Sequence, residues 1–371
     1  MSGFSKRIRP TTASHGYTRA SLGAIATIMM MVCLMATVLA HPQGSTDGDM
    51  DHLPGGNGNT TSSRSRRLYH VDVTEGGEPC VRNELLGRVV DPSTYEFGCR
   101  DIEYMLTGPK TLVGSGSVRD VWLVGYQGRT VVVKTLRHMD DPRHRDMHTK
   151  EMLTMDVLRE ERNVIGMLGV CETTVVTEYF GTKLLHYVWR HGKELAIGEL
   201  VSMSIDAAKG LRALHEIAGC LHIDLKPMQL LVDDEGRVKL NDFNSVHVMS
   251  RNPADGKFCP AQASKRNRRE PWPSPENFAG KPLTETADIY SLGMIFYSLL
   301  IGGKPFDDNL EHLDLALEDR YRPPINPSWH RGYTQIVEDM WLHDPKRRPS
   351  AREVVDRLQD IKEELEMQGM F

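Results

Sequence analysis

The plainest hydropathy feature of the chain is a stretch without any charge, residues 21–40 (SLGAIATIMMMVCLMATVLA). A helix of about 20 residues spans the roughly 30 Å hydrocarbon core of a bilayer. Lys6, Arg7, Arg9 and Arg19 precede the stretch, whereas Asp47, Asp49 and Asp51 follow it. Basic flanks stay cytosolic, so the pattern predicts one transmembrane signal anchor, with leader 1–20 inside. A cleaved signal peptide is the alternative, since Val38 and Ala40 suit a small-residue site; the remainder would then be secreted. Either way the bulk of the chain is expected in a secretory lumen or outside the cell, as a single-pass type II protein in the first case.

Residues 41–67 are rich in Gly, Ser, Thr, Asn and Asp and nearly free of apolar positions. Such a segment buries too little surface to offset its ordering entropy, so a flexible linker is expected. It carries a glycosylation sequon at Asn59 and ends in Arg64, Ser65, Arg66 and Arg67, which resembles a proprotein-convertase site. Residues 68–103 are mixed and read as a juxta-domain segment.

Beyond residue 104 the periodicities sharpen. Val121–Val124 and Val131–Lys134 are β-rich and flank Gly125 and Gly128, so they read as paired strands. Residues 148–162 read as a helix with Met152, Met155 and Leu158 on one face. Val175 to Thr177 form another short strand. Helical spacing returns at Val201, Ile205, Ala208, Leu211 and Leu214, and again at Ile289, Leu292, Ile295, Phe296 and Leu299. Strands first and helices afterwards imply an α+β fold with a small β-rich lobe and a larger helical one.

Composition adds limits. The 371 residues are 40% hydrophobic and 26% charged, an ordinary globular balance, and the formal net charge of -5 gives no reason to expect a nucleic-acid partner. Of six cysteines, Cys33 lies in the apolar stretch, leaving an odd number beyond it. Cys80 with Cys99 is the expected disulfide, because both sit in a segment too short to form its own core.

Candidate chemistry is ordered along residues 104–367. Leu112, Gly114, Ser115, Gly116, Ser117 and Val121 lie in a glycine-bearing stretch whose backbone N–H groups can approach phosphate oxygens. Lys134 ends a strand, and Glu151 on the next helix can hold its ammonium in place. Asp224 and Lys226 sit two residues apart in a short loop, where a carboxylate can take a hydroxyl proton and an ammonium can offset phosphoryl charge. Asp242 follows another strand and offers an oxygen ligand to a hard dication.

In order and spacing these residues resemble the protein kinase superfamily, and the resemblance implies its bilobal fold. It further implies that Lys134 contacts the α- and β-phosphates of ATP, that Asp224 is the catalytic base with Lys226 in support, and that Asp242 and Gln229 hold Mg²⁺ or Mn²⁺. Thr177, Glu178 and Phe180 resemble the gatekeeper and the hinge that grips adenine. Glu276 and Arg348 resemble the ion pair closing the activation segment, and Asp288 the acid that braces the catalytic loop. Lys134→Met is expected to weaken catalysis and displace Glu151.

Departures from the family pattern are equally visible. Arg119 replaces the third loop glycine, which would stiffen the lid over the phosphates or narrow the site. Ile223 replaces the arginine that pairs with a phosphorylated activation loop, so switching by that route is not expected. Gln229 stands where the family has Asn, and Asn244 replaces the glycine after Phe243. The basic run 265–269 falls in the activation segment. The pattern resembles divergent secretory-pathway kinases acting on a lumenal or secreted protein, Ser or Thr before Tyr, or on a glycan. The rival is a membrane-anchored pseudokinase serving as a nucleotide-binding or scaffolding module.

Overall fold

A computed structural model describes residues 72–73, 79–81, 83–191, 195–262 and 270–370, all within one compact unit spanning Arg67–Phe371. The apolar stretch, linker, sequon, convertase-like site and basic run 265–269 lie outside the described residues. Among the described residues no helix is long and apolar enough to cross a membrane.

The smaller lobe is a five-stranded antiparallel sheet. Its strands are β1 (Lys110–Ser115), β2 (Arg119–Tyr126), β3 (Arg129–Leu136), β4 (Met167–Cys171) and β5 (Thr174–Glu178), in the order β1-β2-β3-β5-β4. β2 and β3 pair from Tyr126↔Arg129 onward. The two turn residues, Gln127 (φ 49) and Gly128 (φ 78), are both left-handed, as a type I′ turn demands. Alternation along β3 divides its work. Val131 and Val133 are fully buried under helix α1 (Cys99–Thr107), which supplies Ile102 and Met105 to the same cluster. Val132 and Lys134 point from the opposite face into the interlobe cleft.

Helix α2 (Pro142–Val157) starts six residues before the expected 148–162. The Asp141 side chain accepts from the Arg143 N–H at 2.9 Å and Pro142 fills the first turn, a start signal without apolar periodicity.

The larger lobe is helical. It contains α3 (Leu184–His191), α4 (Ile197–Ala213), α5 (Pro275–Phe278), α6 (Thr286–Ile301), α7 (Leu310–Leu317), α8 (Arg331–Met340) and α9 (Ala351–Met367). Its core takes Leu211 from α4, Ile289, Leu292 and Phe296 from α6, and Leu358 from α9. Between α4 and α6 run the short strands β7 (Cys220–Leu221), β8 (Leu230–Val232), β9 (Val238–Leu240) and β10 (His247–Val248). β8 pairs with β9 and with β6 (Thr182–Lys183), just after the interlobe connection. Gly181 turns that connection at φ +48, and a Cβ there would lie 1.9 Å from the Val232 carbonyl oxygen, so only glycine fits.

The expected Cys80–Cys99 disulfide is not formed. Cys80 bonds Cys259, and Cys99 bonds Cys171. The physical reason is that residues 83–97 do not stand apart from the fold. Leu85 and Val90 enter the larger hydrophobic cluster, which runs through both lobes, and Phe97 enters the separate small-lobe cluster. The Asn83 amide donates to the carbonyls of Ala218 and Gly219. Each cysteine therefore meets a partner in the lobe on which its end of the segment lies. Cys220 stays reduced and buried; desolvation pushes its thiol up to about 12, so it is an inert packing group.

Candidate active site

A cleft of about 730 Å³ separates the lobes. Gly114, Ser115, Gly116, Ser117, Val121 and Lys134 line it from above, and Thr177, Glu178 and Phe180 along the connection. Asp224, Lys226, Gln229 and Asp242 line it from below. The three side chains that the resemblance makes central, Lys134, Asp224 and Asp242, thus border one cavity. Leu112 does not. A bulge between Leu112 and Gly114 shifts the register, leaving Leu112 half exposed and bringing Val113 to the cleft. The apolar walls also include Leu123, Val132, Ile165 and Leu231, which carry no motif and went unread in the sequence.

Lys134 is buried, with its Nζ 3.0 Å from Glu151 Oε1 and 3.0 Å from Asn241 Oδ1. Glu151 is 1% exposed and has a second cation: Arg119 Nη2 lies 2.5 Å from its Oε2. Burial alone would push the Glu151 carboxyl up, but the Lys134 and Arg119 charges outweigh it and hold the group below the ordinary glutamate value. Glu151 therefore has a cation neighbour besides Lys134. Nη2 of Arg119 also donates to Nδ1 of buried His148 at 2.8 Å, while His148 Nε2 meets the Glu172 carbonyl at 2.8 Å. Those partners require neutral His148 with its proton on Nε2. Burial, then the Arg119 charge, lower its pKa to match.

The catalytic-loop candidates stand on a strained turn. Ile223, a β-branched residue, is left-handed at φ 65. Asp288 holds it there by accepting from the N–H of His222 at 2.7 Å and of Ile223 at 2.9 Å; His215 Nε2 is a third partner at 3.0 Å. Desolvation opposes the Asp288 charge, yet His215, His222 and these hydrogen bonds bring its pKa below normal. Next along, Asp224 pairs with Lys226 at 2.9 Å and accepts from Gln229 Nε2 at 3.1 Å.

Asp242 is also left-handed (φ 66, ψ 69), which turns its carboxylate into the cleft while the Phe243 ring is fully buried. Burial is the main influence on that carboxyl and raises its pKa; Lys134 opposes the shift. A carboxylate so desolvated fits a cation partner. Gln229 fits as well, since donation through its nitrogen to Asp224 leaves the amide oxygen as its cation-binding group. One or two protein oxygens beside phosphates suffice for Mg²⁺. Among the described residues no cluster of three or more His, Cys, Asp or Glu forms a self-sufficient metal cage.

Farther out, Arg348 makes two hydrogen bonds to Glu276, at 2.6 and 2.9 Å, and donates to three backbone carbonyls. This buried fork fastens α5 to the base of the large lobe. The Glu178 side chain accepts from the Gly166 N–H at 2.7 Å and Lys239 at 2.5 Å.

Comparison with known proteins extends the picture. A family model described as protein tyrosine and serine/threonine kinase matches residues 108–358. Similar curated proteins include the serine/threonine-protein kinase STY46 of Arabidopsis thaliana, 27% identical over 266 residues, covering 69% of this chain and 44% of that one. The dual specificity protein kinase shkD of Dictyostelium discoideum is 30% identical over 265 residues, covering 67% of this chain and 34% of that one. The matched part is under half the length of either relative.

Proposed function

From the premise that this chain belongs to the protein kinase superfamily, we propose that it transfers the γ-phosphoryl group of ATP to a Ser or Thr hydroxyl of a lumenal or extracellular protein. The single observation carrying this reading is the convergence of Lys134, Asp224 and Asp242 on one cleft. Lys134, held by Glu151 and Asn241, faces the α- and β-phosphates. Asp224 orients the acceptor hydroxyl and takes its proton as the new oxygen–phosphorus bond forms. The bond between the γ-phosphorus and the bridging oxygen breaks, and ADP leaves. Lys226 offsets charge on the moving group. Asp242 and Gln229 would hold Mg²⁺ or Mn²⁺, which when bound neutralises phosphate charge. The retained carboxylates and lysine favour transfer over a binding-only module.

The lumenal assignment is supported by the two disulfides, which persist in oxidising compartments. It is supported also by the apolar stretch 21–40 and its basic flank. The test is transfer from radiolabelled ATP by the purified full chain, with Mg²⁺ or Mn²⁺ and protein acceptors. Asp224→Ala is expected to abolish transfer while nucleotide affinity survives; equal transfer by the two proteins would overturn the base assignment. Protease added to intact microsomes should spare the region after residue 41, and its digestion there would refute the lumenal assignment.

A further inference from the structure

Arg119 occupies a position whose cost shows in the structure. It lies at the start of β2, directly after the glycine-bearing turn, and is only 5% exposed. Its Nε and Nη1 are buried without a hydrogen-bond partner. A buried donor left unmet is destabilising, so stability alone does not account for an arginine here. Its remaining nitrogen makes two contacts, and both lead to α2: Glu151 Oε2 at 2.5 Å and His148 Nδ1 at 2.8 Å. The turn before it is fastened to the same strands. Gly116 N–H donates to the Arg119 carbonyl at 2.9 Å, and Arg137 Nη1 donates to the Gly116 carbonyl at 2.8 Å. A continuous chain of contacts therefore runs from the lid over the phosphates, through Arg119, to the carboxylate that orients Lys134.

A second observation points the same way. Ile223 has no charge with which to answer a phosphorylated activation segment. Glu151 nevertheless sits between two cations from two neighbouring strands, one per carboxylate oxygen.

Building on the phosphotransfer reading, we propose that Arg119 is a positioning residue for the nucleotide: a buried latch that ties the lid to α2 and keeps Glu151 aligned with Lys134 independently of phosphorylation. Glu151 is thereby held twice, and either cation alone retains the helix.

The experiment measures backbone hydrogen exchange of α2 and turnover of MgATP in the full chain, before and after phosphatase treatment. In the wild type, phosphatase should leave α2 protection unchanged. Lys134→Met should keep that protection, because Arg119 remains; Lys134→Met with Arg119→Met should lose it by at least tenfold. Arg119→Met alone should raise KM for MgATP at least fivefold, with a smaller change in kcat, and Arg119→Lys should restore part of the loss. Loosening of α2 in Lys134→Met, loosening by phosphatase, or an unchanged KM in Arg119→Met would each overturn the latch. A wild type that neither binds nor turns over MgATP would instead refute the phosphotransfer reading, and α2 exchange in the Lys134→Met pair would still judge the latch.

Discussion

Removing Asp288 should release the strain at Ile223 and disable Asp224 without touching it. In the Asp288→Ala variant the buried N–H groups of His222 and Ile223 and the Nε2 of His215 all lose their shared acceptor. Breaking a buried charged hub of this kind costs about 3–5 kcal/mol, less where water enters. The left-handed Ile223 itself stores about 1–3 kcal/mol. With the hub gone, that turn relaxes and Asp224 shifts; a displacement of about 1 Å can cost 100-fold in rate. The decisive assay is a double-mutant cycle by urea unfolding, combining Asp288→Ala with Ile223→Gly. Glycine gains strain relief only while Asp288 enforces the turn. The cycle should therefore show a coupling of about 1–3 kcal/mol, with glycine better tolerated beside Asp288. Additivity within about 0.5 kcal/mol would refute the argument that Asp288 holds a strained loop.

Other outcomes follow from the same geometry. Asp242→Asn removes a desolvated charge. Because its folded pKa is raised, this carboxylate destabilises the metal-free fold increasingly as pH rises through and above its ordinary value of 3.8. At neutral pH the Asn variant should melt higher than wild type without metal and lose any stabilisation by MgATP, both read by thermal shift. His148 has the opposite sign: its lowered pKa favours the neutral ring, so stability should fall as pH drops below its ordinary 6.5. His148→Gln should flatten that acid limb by up to about 1.4 kcal/mol per pH unit in urea melts, with His247 accounting for part of what remains. Cys259→Ser opens a bond spanning 179 residues, and Cys171→Ser one spanning 72. The loop-entropy relation gives about 5 and 4 kcal/mol, so the first variant should be the less stable in non-reducing chemical unfolding.

The reactive residues were legible in the sequence because each is a charge where the local pattern asks for none. Lys134 follows three valines within one strand, which runs on to Leu136, and Asp224 and Asp242 follow the ends of short ones. Asp288 was legible as a brace, though its three partners were not, since a turn with positive φ leaves no mark when its residue is isoleucine. Arg119 was legible only as a missing glycine. Its inward direction depends on Glu151 and His148, roughly a turn of helix apart on the helix that follows the next strand. Asn241, which shares Lys134 with Glu151, looks like an ordinary polar residue before a motif. The disulfide pairing failed for a different reason. A segment too short to form its own core need not close on itself: residues 83–97 join two hydrophobic clusters and carry Cys80 and Cys99 apart. Leu112 failed by one position because a bulge reverses the strand's alternation.

The bond from Cys80 to Cys259 adds a consequence for the integrity of the molecule. It joins the polypeptide upstream of the small lobe to the segment that follows Asp242, bypassing the connection at Gly181. A protease that nicked that connection would yield two pieces still travelling as one on a non-reducing gel. They would part only when a thiol was added, so damage at the crossing between the lobes need not scatter the two halves.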